Sequence, residues 1–223
     1  VQVNSIIPGA AAGDLFGEHV TLSRDGTEVL AITDRSSGSQ NAAVYANTGS
    51  GWSSLSVLPG IGPGDAAISA SGDVVALADA TAQSSDGVLR FKAFELTGGQ
   101  WSQKGTTVDF YQTTVALVDI GDNGNLAVVL KGDSGGYSKI ATRRYQEEFD
   151  GFDWRDGSWV DYNALGVRPA VASAAAVFAY STFDVQSSSF VVRCQTLSPS
   201  VAQLGSNIAR SSLALAMNSN GTL

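Results

Sequence analysis

Short, nearly unbroken apolar runs recur along the chain behind polar turns: Val29 to Ile32, Val74 to Ala78, Leu126 to Leu130, and Ala174 to Tyr180. Runs of this length, bounded by turn residues, suit strands covered on both faces. The turns fix a spacing. Asp25-Gly26 in LSRDGTEVLAI matches Ser71-Gly72 in ISASGDVVALA at 72 − 26 = 46, then Asn123-Gly124 at 124 − 72 = 52, and Asn220-Gly221 at 221 − 124 = 97. The last gap is two periods, so a copy with a shortened turn is expected near residue 173, carried by Val171 to Tyr180. Strand-built periods of ~40–50 residues predict propeller blades rather than helical solenoids.

Within each copy a polar loop follows the apolar run, and a third strand follows the loop: Ala42 to Tyr45, Val88 to Leu96, Ile140 to Tyr145, and Phe190 to Leu197. In the second copy, Leu89-Arg90-Phe91-Lys92 alternates bulk with charge, which predicts one wet face there. A glycine turn and a tryptophan open the fourth strand in three copies, at Gly51-Trp52, Gly99-Gln100-Trp101 and Gly157-Ser158-Trp159; the fourth has Ser200-Val201. A tryptophan in register is read as packing between blades. Pro59-Gly60 before Gly64-Asp65 repeats Pro8-Gly9 before Gly13-Asp14 at 59 − 8 = 51, so residues 1–7 are expected to be the outer strand of a preceding blade. Leu213 to Met217 with Asn220-Gly221 reads as the opening of another. The fold expected is all-β, a β-propeller of four-stranded antiparallel blades at about 14–58, 65–107, 113–163 and 168–208, with partial blades at 1–8 and 211–223. The chain is expected to be a single propeller domain or part of one, cut inside a repeat at both ends.

The order Gly13-Asp14-x-Phe16-Gly17, then Val20-x-Leu22-Ser23-x-Asp25-Gly26, Val44-Tyr45 and Trp52 resembles the FG-GAP-type repeats of integrin-like β-propeller proteins. The likeness is close over residues 5–60, fair over 61–130 and poor over 131–210. It implies several four-stranded blades, an extracellular setting, and use in adhesion or as a scaffold. Many members bind calcium through an Asp-x-Asp-x-Asp-Gly loop between the first two strands. Here Ser23-Arg24-Asp25-Gly26 and Asp119-Ile-Gly-Asp122-Asn-Gly124 lack that spacing, so no cofactor is expected.

Composition narrows the partners. Thirteen Lys and Arg against 21 Asp and Glu give a net charge of −8 and a pI near 4.5, which opposes binding to phosphate backbones and anionic lipid. Only 15% of residues are charged, below the ~25% usual for soluble domains, so small polar residues carry the surface, as in many extracellular β-proteins. The lone Cys194 makes no disulfide within the chain and, flanked by Val191 and Val192, is read as a small buried hydrophobe. The longest apolar run, Ala170 to Tyr180, is interrupted by Ser173 and is short of the ~20 residues of a membrane helix.

Candidate chemistry is sparse. His19 is the only histidine, no nucleophile motif accompanies it, and one histidine with one cysteine cannot close a zinc site. Gly60-x-Gly62-x-Gly64 is a turn rather than a phosphate cradle, since no helix follows. Acids interleave with aromatics over Glu147-Glu148-Phe149-Asp150-Gly151-Phe152-Asp153-Trp154-Arg155-Asp156, with Asp161 beyond. Such a cluster could serve a sugar as a glycosidase acid/base pair, or hold a hard cation. The alternative is an enlarged hairpin between the third and fourth strands, with solvated charges and aromatics covering a blade edge. Glu147, Glu148, Asp150, Asp153, Trp154 and Asp156 are therefore the candidate binding residues, with no catalytic and no metal residue assigned. Asn220-Gly221-Thr222 is an N-glycosylation sequon if the chain is secreted. The function expected is a non-catalytic propeller scaffold in a secreted, cell-surface or fibre-forming assembly. Its partners would be other protein chains, further repeats of the same chain, or glycans, without nucleic acid or membrane insertion. The alternatives are a propeller glycoside hydrolase using residues 147–161 and a propeller subunit of an organellar complex.

Overall fold

The structure, a computed structural model, describes residues 6–8, 17, 19–32, 42–58, 63–79, 88–111, 115–121, 124–132, 138–148, 151–162, 170–172, 177–184, 186–196 and 202–209. Among these there are seventeen strands and no helix, in four antiparallel sheets. The first sheet runs β1 (Val20–Leu22), β2 (Glu28–Ile32), β3 (Ala42–Asn47), β4 (Trp52–Leu58). The second has β5 (Pro63–Ile68), β6 (Val74–Asp79), β7 (Val88–Thr97) and β8 (Gln100–Gln103), with β9 (Val108–Tyr111) also on β7. The third runs β10 (Val115–Ile120), β11 (Leu126–Gly132), β12 (Ser138–Glu148), β13 (Gly151–Tyr162). The fourth runs β14 (Ala170–Ala172), β15 (Val177–Asp184), β16 (Ser189–Thr196), β17 (Ala202–Ala209). Each sheet is an up-and-down meander, the blade topology expected from the repeat. Residues 1–5 and 211–223, and with them most of the expected partial blades, lie outside the described residues.

The repeat is visible at the level of single hydrogen bonds. The amide of Gly26 donates to Ser23 O at 3.0 Å, that of Gly72 to Ser69 O at 3.0 Å, and that of Gly124 to Gly121 O at 2.9 Å. All three glycines have φ between +65° and +80°, the left-handed region that favours glycine. One residue later, the carbonyls of Thr27, Asp73 and Asn125 accept from the third strand's Asn47, Leu96 and Tyr145 amides. In the fourth copy Ala172 pairs with Val177, and residues 173–176 between them lie outside the described residues.

Blades stack through apolar faces. Ala42, Val44 and Leu58 of the first sheet form one buried cluster with Ala66, Ile68, Val75, Leu77 and Phe94 of the second, and Trp101 packs against it. The opposite face of the second sheet, with Ala67, Val74, Ala76, Ala78, Phe91, Ala93 and Phe110, meets Val118, Ile120, Ala127, Val129 and Trp154 of the third. Alternate residues of one strand thus serve two neighbours, which is why the runs read as continuous.

Two local details differ from the expectation. Gly157-Ser158 does not turn the chain. Pairing of β12 with β13 runs to Glu148↔Gly151, so Gly157 with Ser158 falls within β13, at a register shift between Ala141↔Trp159 and Arg143↔Asp156. The Gly-Ser pair is absorbed as a β-bulge, a role glycine also fills inside strands. In the second sheet the outer strand is split: β8 and β9 both pair with β7, and Lys104 to Thr107 bulge out between them while the Lys104 amide still donates to Ala93 O at 2.8 Å.

Candidate functional site

The acidic and aromatic stretch forms the end of the β12–β13 hairpin, and it docks on the bulge of the second blade. Tyr145 and Trp154 are cross-strand partners on β12 and β13. Trp154 is 4% exposed, its ring edge-on to Phe91 of the second blade with centroids 5.2 Å apart. Its indole N–H donates to the Lys104 carbonyl at 2.7 Å. A buried tryptophan needs such a partner for its one donor. Asp153 completes the dock: its carboxylate accepts the Thr106 amide at 2.7 Å, the Thr106 hydroxyl at 2.8 and 3.0 Å, and the Trp154 amide at 2.7 Å.

The bulge itself is shaped for this contact. Lys104 is buried, its ammonium paired with Glu95 and lying 4.4 Å from the centre of the Tyr145 ring. A desolvated ammonium is tolerable only with such compensation. Burial, followed by the charges of Glu95 and Asp153, raises the Tyr145 phenol above its ordinary value. Gly105 has φ +70°, and a Cβ there would lie 2.7 Å from Trp154 Cδ1 and 2.8 Å from Asp153 Oδ1. Nearby, the Arg143 guanidinium stacks 4.8 Å from the Phe110 ring centre, and burial lowers its pKa to about 10.

Asp153 and Trp154 are therefore brought together, on an interblade seam where the carboxylate meets backbone and hydroxyl donors. Glu147 and Glu148 lie in β12 and Asp156 in β13, described at the level of the backbone; Glu147 is in register with Phe152 and Asp156 with Arg143. Asp150 and the sequon residue Asn220 lie outside the described residues.

A second constellation sits on the innermost strands. Asp65, fully buried in β5, lies 3.6 Å from His19 Nδ1 through Oδ1 and accepts the Val118 amide of β10 at 2.8 Å through Oδ2. One carboxylate thus ties the entry to β1, the second blade and the third. Sequence reasoning placed Asp65 at the start of the second blade, after the Pro-Gly connector, and gave it no role. The available signal was an acid inside the otherwise apolar Asp65-Ala66-Ala67-Ile68, at 65 − 19 = 46 from the lone histidine, one full period.

At the turn between β1 and β2, Asp25 accepts Thr27 N–H at 3.0 Å, Ser23 Oγ–H at 2.7 Å and Thr27 Oγ1–H at 2.8 Å. These donors, the Thr27 amide foremost, hold its pKa below the ordinary carboxylate value. In the second blade Ser69 and Ser71 donate to Asp73 in the same manner. These carboxylates stabilise turns. Cys194, a free and half-buried thiol on β16, has its pKa raised by burial.

This architecture defines the class as a β-propeller, and solved structures agree. The chain is similar to a Bacteroides fragilis protein assigned as a 6-phosphogluconolactonase, with TM-score 0.56 and 11% identity over 88% of this chain and 56% of that one. It is similar to the WD40 domain of SCAP from fission yeast, with TM-score 0.55 and 10% identity over 86% and 42%. It is also similar to a chain of the nidogen/laminin complex, with TM-score 0.52 and 11% identity over 89% and 67%. The chain spans about half the length of the first two and two thirds of the third. No family model and no curated protein matches the sequence.

Proposed function

We propose that the chain is a non-catalytic propeller scaffold that presents blade surfaces to other macromolecules in a secreted or cell-surface assembly. The observation that carries this reading is the use of Asp153 and Trp154. The acid and the aromatic most suited to a sugar site are instead spent on holding two blades together. A general acid or base needs a carboxyl within reach of the substrate's proton, whereas this one is surrounded by protein donors. The nidogen/laminin structure shows that a similar fold occurs in a protein complex, which supports a binding role by analogy alone.

The test is a paired assay on the chain and on its Glu147→Gln and Asp156→Asn variants. Immobilised glycans and extracellular proteins are screened for saturable binding, and chromogenic glycosides and aldonolactones for turnover. The reading expects saturable binding without turnover. Turnover that disappears in either variant would refute it and favour hydrolysis by the hairpin acids.

A further inference from the structure

Tryptophans hold one place in successive blades. Asn47, Leu96 and Tyr145, whose amides donate to the carbonyl one residue after each turn glycine, are in register with Trp52, Trp101 and Trp154. Trp101 packs on the cluster shared by the first and second blades, as Trp154 belongs to the cluster shared by the second and third. The outer strand of the preceding blade departs from regular pairing at a matching point. Leu55 follows Ser54 at the register shift of the first blade, and Lys104 follows Gln103 at the bulge of the second. The two seams are thus built on one plan.

Their polar contacts differ. Between the second and third blades the Trp154 indole N–H donates to the Lys104 carbonyl at 2.7 Å, and Asp153 beside it accepts the Thr106 amide at 2.7 Å. Between the first and second, the Trp101 indole nitrogen is buried and makes no hydrogen bond among the described residues. Gln100, exposed, precedes Trp101 where Asp153 precedes Trp154. Lys104 is 6% exposed, whereas its counterpart Leu55 is 44% exposed. A buried donor without an acceptor has lost its hydration for nothing, so closure is opposed at Trp101 and favoured at Trp154. The first seam is held by its apolar cluster and, at the turn end, by the Arg24 amide donating to Ala70 O at 3.1 Å.

We infer that the seam between the first and second blades is a built-in opening, which parts at Trp101 in a minor state while the seam between the second and third stays shut. Parting hydrates the Trp101 N–H and so offsets some of the cost of exposing apolar surface; parting at Trp154 would break bonds instead. One unmade bond to a buried donor shifts such an equilibrium by roughly 10- to 100-fold. The opening is independent of whether the propeller binds or catalyses.

Hydrogen exchange of the indole N–H protons under native conditions tests this, followed by proton–nitrogen correlation NMR on tryptophan-labelled protein and assigned with Trp101→Phe and Trp154→Phe. The Trp101 indole is expected to exchange roughly 10- to 100-fold faster than that of Trp154. Replacing either tryptophan with benzothienylalanine, which keeps the ring shape and puts sulfur in place of the N–H, separates the donor from the packing. At position 101 the urea midpoint should stay or rise, because an unmade bond is removed. At position 154 it should fall, because the Lys104 carbonyl loses its donor. A Trp101 indole that exchanges as slowly as that of Trp154, or a midpoint lowered as much by the replacement at 101 as at 154, would overturn the inference.

Discussion

Replacing Gly105 with alanine probes the interblade dock at its tightest point, and the structure allows the cost to be divided. The backbone contribution comes from φ +70°, where an L-residue loses about 1–2 kcal/mol. The packing contribution comes from a Cβ placed 2.7 Å from Trp154 Cδ1 and 2.8 Å from Asp153 Oδ1, both on side chains locked in the seam. Overpacking of this kind costs about 1–3 kcal/mol. Gly26→Ala is the matched control, because φ is +69° and nothing lies within 4 Å of the added carbon. Urea unfolding followed by tryptophan fluorescence should therefore show a loss of about 1–2 kcal/mol for Gly26→Ala and about 2–5 kcal/mol for Gly105→Ala. In a Trp154→Ala background, which removes the nearest obstacle, the added loss from Gly105→Ala should shrink toward the control value. Equal losses for the two glycines in the parent chain would show that the third blade does not close on the bulge, and the reasoning would fail.

Three other outcomes can be checked with the same material. A double-mutant cycle between Asp153→Ala and Thr106→Ala should return a coupling of about 1–3 kcal/mol, since alanine at 106 removes the hydroxyl that bonds both carboxylate oxygens across the seam while the backbone bond is kept; a coupling indistinguishable from zero would remove the hydroxyl's part in the clamp. Asp65→Ala strands the buried Val118 amide and should cost about 1–3 kcal/mol, read from the shift in urea midpoint. Tyr145 has a folded pKa above its ordinary value of 10.0, so its contribution to stability is complete below pH 10 and is lost as pH rises through the folded value. Difference absorbance between the parent and Tyr145→Phe should accordingly show a phenol titrating above pH 10, and the variant should lose less stability than the parent in that alkaline range.

The blades were legible because their turn chemistry is local. Asp25-Gly26, Ser71-Gly72 and Asn123-Gly124 each demand a left-handed glycine, and their spacing alone aligns the first three copies. The fourth copy was reached only by counting, since the sequence from Ala172 to Val177 contains no glycine. What single residues do at the seams was harder to read. Gly157-Ser158 has the composition of a turn, yet pairing through Glu148 and Gly151 wins, which makes Trp154 rather than Trp159 the described interblade tryptophan of the third copy. Asp65 stood at the start of the second blade beside Gly64, with no role legible for it. Its role depends on His19 and Val118, which lie 46 and 53 residues away and meet it only after the blades stack. Asp153 and Trp154 were singled out as candidate binding residues, but their partners on Lys104 to Thr106 belong to another blade and leave no local pattern.

The measurement that tests the account most directly is a nuclear Overhauser experiment on protein carrying isotope-labelled phenylalanine and tryptophan. Stacked blades place Phe91 and Trp154, 63 residues apart in sequence, with ring centroids 5.2 Å apart and planes at 85°. Strong cross-peaks between the Phe91 ring and the Trp154 indole, lost in Trp154→Ala and retained in Trp159→Phe, are the expected result. An indole of Trp154 that contacts only residues of its own hairpin would contradict both the stacking of the second and third blades and the reading of the acidic hairpin as a dock.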